Sequence, residues 1–354
     1  MVFKTCAKTE KMVRRNEDNI CTMYCSIILS AKPTFNNGGG TYTRELTDSI
    51  KGVSAILIIL HHFSWQVIDA SGPIVWLYRE ANLFAVGCFL FFSGYGVAKN
   101  IHTKDECKKI FKYVFRILVT YITVFLMKII IDVVIGKMDY NVFYNFLTLQ
   151  MYPSNLWYIK GQLFCYLLFV SGYMILGKNA KMISYMTGLI LVWIGIGLAL
   201  GRSIINDAWY DTLLLFPMGV MISINEVKFI DKAKRHPLLM SGVITIVATI
   251  IIIVQKKLLY VVVPIWSVLL YLIFANFIAV KGKAWTILGK HSLSIFLIHL
   301  VLIDYAKKFA INIENGWTIL SIVGATIMAS IVLDLVVNKI LNEMFLIGSC
   351  KKGS

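Results

Sequence analysis

A series of apolar stretches, each long enough for a membrane-spanning helix, limits most strongly how this chain folds. Such a helix needs roughly 20 mostly apolar residues to cross a hydrocarbon core of about 30 Å. Soluble domains carry about 25% charged residues, whereas this chain of 354 residues carries 15%, with 58% hydrophobic residues and a mean hydropathy of +0.73. We therefore predict an all-α, polytopic membrane bundle. Its ten predicted transmembrane helices lie at about 49–69, 81–99, 112–135, 155–176, 182–200, 208–225, 238–255, 258–280, 286–306 and 317–345.

Basic residues are distributed unevenly between the loops that join these stretches. Most of the 35 Lys and Arg residues fall in alternate loops, such as "KNIHTKDECKKIFKYVFR" and "VKFIDKAKR". Cytoplasmic loops of membrane proteins carry this excess of positive charge. We therefore expect a multi-pass protein of the cell membrane with both termini in the cytoplasm. Anionic lipid headgroups at the inner face account for the net charge of +16, so we predict membrane lipids as partners and no nucleic-acid partner.

The ends of the chain differ from its apolar centre. Residues 1–43 are predicted to be a basic, loosely ordered cytoplasmic arm, residues 44–345 a transmembrane domain, and residues 346–354 a short cytoplasmic tail. The seven cysteines are scattered and include no CxxC pair. They predict neither a disulfide framework nor a metal site.

Three histidines fall inside predicted spans. His61 and His62 lie in the first span and His299 in the ninth. An ionisable residue within a membrane points to function, although a neutral histidine hydrogen-bonded between helices is the alternative. Lys51 and His62 are eleven residues apart, which places them on nearly one helical face, about 16 Å apart along the axis. His61 is rotated from that face by about 100°, which favours a packing role for it.

Further motifs accompany the first span in a fixed order. They are "FLFFSGYGVAKN", "FKYVFRILVTY", "NLWYIKGQLFCY" and "LGKHSLSIFLIHL". Together with the Lys51–His62 spacing, they resemble acyltransferase family 3, the ten-span integral membrane O-acyltransferases. That family opens its first span with a basic residue, ten further residues and a histidine. Lys51 stands where the family usually has arginine. The resemblance covers about residues 44–345.

The resemblance implies transfer of an acyl group, usually acetyl, from cytoplasmic acyl-CoA to a hydroxyl. The acceptor it implies is a cell-envelope glycan or a lipid-linked saccharide. Acyl-CoA is then a substrate, and no bound cofactor is expected.

We expect His62 to act as the general base, because histidine is neutral near working pH and can take the hydroxyl proton. The tetrahedral oxyanion needs hydrogen-bond donors. The residues with possible roles as donors or as catalytic support are Ser93, Tyr95, Trp157, Ser292 and His299. The residues expected to contact donor phosphates are Lys51, Lys112 and Arg116, for which ordinary anchoring at the inner membrane face is the alternative.

A proton-coupled transporter or flippase is the alternative function. Ionisable residues within the spans favour it, namely Lys128, Asp132, Lys160, Asp304 and Asp334. Lys128 and Asp132 are also placed to neutralise each other at i,i+4. Many transporters carry sequence repeats, and the two spans with histidines have unlike flanks. The ordered motifs therefore favour the acyltransferase.

Overall fold

The computed structural model describes most of the chain from residue 43 to residue 350. It covers residues 33–34, 43–67, 73–136, 150–151, 154–155, 157–200, 212–226, 279–280, 282–309 and 316–350, with single positions at 141, 144, 147, 267 and 311. The predicted arm at 1–43 and two predicted spans, 238–255 and 258–280, therefore lie almost wholly outside the described residues.

Helices make up nearly all of the described chain. In chain order the elements are β1 (Pro33–Thr34), α1 (Arg44–Val67), α2 (Pro73–Asn100), a 3₁₀ turn (Asp105–Cys107), α3 (Lys108–Val134), β2 (Gln150–Met151), β3 (Ser154–Asn155), α4 (Trp157–Leu176), α5 (Ala180–Leu200), α6 (Leu215–Ile224), β4 (Ala279–Val280), α7 (Lys283–Lys290), α8 (Ser292–Lys308) and α9 (Gly316–Cys350). The strands form two antiparallel pairs, β1 with β4 and β2 with β3. Each strand is two residues long, and the predicted all-α class is confirmed.

Five described helices are long and apolar enough to cross a membrane, and a bent pair raises that number to six. The predicted number of ten transmembrane helices is therefore not confirmed. The predicted span at 208–225 corresponds to α6, which is only 10 residues long. Except at the ninth span, the other long helices overlap their predicted positions, and the largest difference is at α2, which begins eight residues before the predicted start at 81.

The ninth predicted span, 286–306, is wrong as a continuous helix. The chain turns by 75° between α7 and α8, at His291. Helix α7 crosses the first turns of α1 so closely that a Cβ on Gly289 would overlap the backbone of Asp48. A Cβ on Gly52 would overlap the backbone of Trp285 in the same way. This mutual glycine contact fixes α7 on α1, and α8 then continues in a new direction toward the bundle interior.

A second mutual glycine contact holds α2 against α6. A Cβ on Gly94 would overlap the carbonyl oxygen of Phe216, and a Cβ on Gly219 would overlap that of Phe91. Small residues allow two helix backbones to approach this closely. In lipid the hydrophobic effect does not drive helices together, so such close packing stabilises their contact instead. Helix α2 also packs on α1, so these contacts place α1, α2 and α6 side by side around the core.

Two lysines join neighbouring loops at one end of the bundle. Lys104 Nζ donates a hydrogen bond to the carbonyl oxygen of Met174, at 2.9 Å. Lys178 Nζ donates to the carbonyl oxygen of Ile101, at 3.1 Å. The loop after α2 and the loop after α4 therefore lie at the same end, as the alternating basic loops require.

Two Lys and two Asp residues form a buried cluster between α3 and α8. Lys128 pairs with Asp132, and Lys308 Nζ lies 3.3 Å from Asp132 Oδ1 and 3.0 Å from Asp304 Oδ2. The Tyr305 hydroxyl lies 3.1 Å from Asp132 Oδ1 and from the carbonyl oxygen of Lys128. The two positive and two negative charges of this cluster thus neutralise one another. These residues no longer favour proton coupling over a structural role.

Candidate functional site

The three intramembrane histidines meet in space. His62 on α1 and His299 on α8 have ring centroids 5.0 Å apart, with 40° between their planes. His61 lies edge-on to His62, also with centroids 5.0 Å apart. The side chain of His61 is buried, whereas that of His62 is partly exposed. Two spans more than 200 residues apart in the sequence therefore join at one histidine cluster.

His299 is fully buried and is held by its own helix. Its Nδ1 lies 3.0 Å from the carbonyl oxygen of Ile295, one turn earlier. From this contact we assign the neutral tautomer with the hydrogen on Nδ1, since a carbonyl oxygen only accepts. The buried Nε2 then keeps a lone pair and has no hydrogen-bond partner among the described residues. His299 can therefore accept a proton or a hydrogen bond on the side of the ring opposite Ile295.

A cavity of about 180 Å³ opens where α1, α2, α3, α4 and α8 meet. Four of the residues singled out in the sequence line it, namely Lys51, Ser93, Arg116 and Ser292. They come from four different helices, and only the packing of those helices brings them together. The cavity therefore combines two cationic groups with two hydroxyls.

Aromatic rings and one amide complete the cavity wall, and most of them were not singled out in the sequence. The rings belong to Phe89, Tyr113, Tyr158, Tyr166 and Phe296, and the amide to Gln162. The motifs marked the stretches that contain these side chains, but gave no reason to choose most of them over the neighbouring aromatic residues. All six lie within the motifs that carried the family resemblance: Phe89, Tyr113 and Phe296 in three of them, and Tyr158, Gln162 and Tyr166 in "NLWYIKGQLFCY".

Phe296 joins the cavity to the histidine cluster. Its ring centroid is 4.8 Å from that of Tyr158 and 5.9 Å from that of His299. Since Phe296 lines the cavity, the histidines lie one aromatic ring beyond its inner wall. Phe296 therefore separates the cavity from the histidine cluster by the width of one ring.

Asp334 on α9 holds Arg116 at the cavity. Its carboxylate lies 3.5 Å from Arg116 Nη2 and 2.5 Å from His291 Nδ1, and it accepts a hydrogen bond of 2.7 Å from Ser294 Oγ. Asp334 is only 4% exposed, so removing it would leave Arg116 without this buried anchor. Asp334 counted as an ionisable residue within the last span, but its partners could be identified only from the packing of α3, α8 and α9.

Three of the predicted site residues lie elsewhere or cannot be placed. The hydroxyl of Tyr95 donates to Glu226 Oε1 at 2.8 Å and accepts from Lys99 at 2.8 Å, which ties α2 to the end of α6. Lys112 is exposed on α3 and is not among the residues that line the cavity. Trp157 begins α4, and its side chain lies outside the described part of the structure.

Among the described residues, no group of three His, Cys, Asp or Glu side chains is placed to hold a metal ion.

Comparison with known proteins identifies the family of the chain. A family model of the acyltransferase domain matches residues 47–335, a range that contains the histidine cluster and every residue of the cavity wall. No curated protein and no solved structure matches the chain. The matched range covers most of the 354 residues and joins the basic, histidine and serine motifs in one domain. This chain therefore belongs to acyltransferase family 3 and is a membrane acyltransferase.

Proposed function

We propose that this protein is an integral membrane O-acyltransferase, and specifically an O-acetyltransferase, that uses cytoplasmic acyl-CoA as donor. The acceptor is a hydroxyl of a cell-envelope glycan or of a lipid-linked saccharide. The observation that carries the proposal is the contact of His62 with His299 one ring beyond a cavity with two cationic groups.

The donor is an anion with a long, thin arm, and the cavity suits both features. Lys51 and Arg116 attract its phosphates, and the aromatic wall accepts its arm. Lys51 and His62 are about 16 Å apart along α1, a distance that an extended arm can bridge. The thioester then lies near the histidine cluster while the phosphates stay at the cationic groups.

His62 acts as the general base in the proposed reaction. It takes the proton of the acceptor hydroxyl as that oxygen bonds to the thioester carbonyl carbon. The tetrahedral intermediate collapses by breaking the carbon–sulfur bond, and the leaving thiolate takes the proton back from the imidazolium. The products are the ester and free CoA. His299 supports His62 by offering the lone pair of Nε2 to the imidazolium while it carries the proton.

Hydroxyl groups on the cavity wall are suited to stabilise the oxyanion. Ser93 and Ser292 both line the cavity, and a donor aimed at developing charge contributes most in a site that excludes water. We leave Tyr95 out of this role because its hydroxyl is engaged by Glu226 and Lys99.

Mass spectrometry of envelope glycans tests the function as a whole. Cells with the protein should contain a glycan carrying an added acyl ester, 42 Da for acetyl, that cells lacking the protein do not contain. Purified protein in liposomes should form the same ester from acyl-CoA and that glycan. If no ester difference appears in any envelope fraction and no acyl-CoA is consumed in liposomes, the proposed function is wrong.

Removing the charge of Lys51 should weaken donor use. A hydrogen bond to a charged group contributes about 1.5–3 kcal/mol, so Lys51→Gln should raise the KM for acyl-CoA roughly tenfold or more. Lys51→Arg should keep or improve activity, because its planar fork suits phosphate. The measurement is initial rate against acyl-CoA concentration in liposomes.

Lys108→Gln provides the matched control for Lys51. Its side chain is 82% exposed on α3, where it pairs with Asp105, and its loss removes one positive charge outside the cavity. We expect its donor KM to stay within about twofold of the unchanged protein. An unchanged KM in Lys51→Gln would remove Lys51 from the donor site.

The proposal also requires a multi-pass topology with both termini in the cytoplasm. In a variant without native cysteines, Thr103→Cys in the exposed loop after α2 should react with a membrane-impermeant thiol reagent only after the membrane is opened. Ile311→Cys, which is exposed after α8, should react from outside in intact cells. The opposite pattern would reverse the bundle and place the cavity on the outer side.

A further inference from the structure

Gln162 carries a buried polar atom that the protein itself does not satisfy. It lies on α4 and is only 6% exposed. Its Nε2 donates to Ser93 Oγ at 3.0 Å and to Tyr166 Oη at 3.1 Å. The opposite end of the amide, Oε1, is buried without a hydrogen-bond partner among the described residues. A buried carbonyl oxygen in this condition is costly unless a further group donates to it.

The position of this oxygen connects it with the donor cavity. Gln162 lines the same cavity as Lys51 and Arg116, and its two partners Ser93 and Tyr166 line it as well. The two hydroxyls hold the amide in place at the cavity wall. A hydrogen-bond donor held in this cavity, whose wall is cationic, hydroxyl-bearing, aromatic and aliphatic, would satisfy Oε1.

The arm of an acyl-CoA supplies such a donor. Between its phosphates and its thioester the arm is a narrow chain of methylene groups interrupted by two amides. Each amide N–H loses its water on entering an aromatic cavity, and this costs free energy unless an acceptor replaces the water. An arm whose phosphates lie at Lys51 and Arg116 would carry its amides past the cavity wall toward the thioester end.

We propose that Gln162 Oε1 accepts a hydrogen bond from an amide N–H of the acyl-CoA arm, which makes Gln162 a determinant of donor specificity. The inference rests on the proposed function, because it names a contact to the donor of that reaction. It assigns Gln162 to donor binding and leaves the chemical step to the histidines.

Donors altered at a single atom test this contact without any change to the protein. Two acyl-CoA analogues are used, each with one amide N–H of the arm replaced by an ester oxygen, alongside the natural donor. We expect one of the two analogues to show a roughly threefold to tenfold higher KM with the unaltered protein, with little change in kcat. Equal KM values for all three donors would overturn the inference.

Variants then show whether Gln162 is the acceptor. Gln162→Met keeps the length of the side chain and removes the acceptor. It should therefore raise the KM for the natural donor, and this KM should no longer differ from that for the ester analogue. Gln162→Glu keeps a carbonyl acceptor and should still distinguish the two. It also serves as the second variant if Gln162→Met does not fold. If Gln162→Met retains the full discrimination, or Gln162→Glu loses it, the inference is wrong.

A matched control lies on the same helix. Ser171 on α4 is hydrogen-bonded to the carbonyl oxygen of Leu168 and contacts Tyr185 Oη, away from the cavity. Ser171→Ala should therefore keep the unaltered discrimination between donors. The assay distinguishes failure of the proposed function from failure of the proposed role of Gln162. Absence of ester formation from every donor by the unaltered protein would contradict the proposed function, whereas transfer without discrimination contradicts only the role of Gln162.

Discussion

Replacing His62 with alanine should lower acyl transfer by about 10²–10⁴-fold, the usual cost of losing a general base. The protein should still insert, because alanine is readily accommodated in a membrane helix and His62 is partly exposed. The measurement is acyl incorporation in liposomes, normalised to the amount of protein in the membrane. The acyl-CoA KM should change little, since Lys51 and Arg116 remain at the cavity.

The neighbouring histidines provide the controls for this result. His61→Ala removes a side chain that we assign to packing, so its effect on transfer should be milder. His299→Ala should give an intermediate loss, because the ring of His62 loses the contact at 5.0 Å while keeping its own nitrogen atoms. Near-normal activity in His62→Ala together with an inactive His61→Ala would exchange the two roles. Near-normal activity in both would exclude the proposed mechanism.

Replacing Asp132 with alanine should lower the free energy of unfolding by about 3–5 kcal/mol, because it leaves the buried charge of Lys128 without its partner. The side chains of Lys128 and Asp132 are 8% and 6% exposed, so water cannot take over the lost contact. The measurement is the thermal midpoint at which the detergent-solubilised protein loses its monodisperse state, compared with chemical denaturation.

A double variant and a surface variant complete this test. Lys128→Met combined with Asp132→Leu removes both charges and should recover most of the lost stability, since apolar residues often replace a buried ion pair without cost. Lys308 keeps Asp304 in that variant. Asp105→Ala breaks an exposed pair with Lys108 and should cost no more than about 1 kcal/mol. Equal destabilisation by Asp132→Ala and Asp105→Ala would show that the buried cluster contributes no more than a surface pair.

Local features were predictable because their causes lie within a few turns of chain. Apolar length predicted both ends of α4 and α5 within two residues, and those of α1, α3 and α9 within five, since a helix satisfies its own backbone hydrogen bonds in lipid. The pairing of Lys128 with Asp132 followed from i,i+4 spacing. The family also followed from the sequence, because its motifs are short and recur in a fixed order along the chain.

The break at His291 could not be predicted in this way. The stretch 286–306 is apolar enough over most of its length to suggest one span, although the run Gly289–Ser292 (GKHS) lies at the break. The 75° turn depends on the close contact of Gly289 with Asp48 and of Gly52 with Trp285. Those partners are far apart in the sequence and meet only when α7 packs on α1.

The sequence by itself determined the membrane setting, the helical class, the family and the common face of Lys51 and His62, because composition and helical period are local properties. Only the tertiary structure decided which groups are neighbours. It placed His299 beside His62, Asp334 beside Arg116 and Gln162 inside the cavity, and it engaged Tyr95 with Glu226 instead. The physical reason is that each of these contacts joins two helices, and the position of one helix against another depends on the shape of both surfaces.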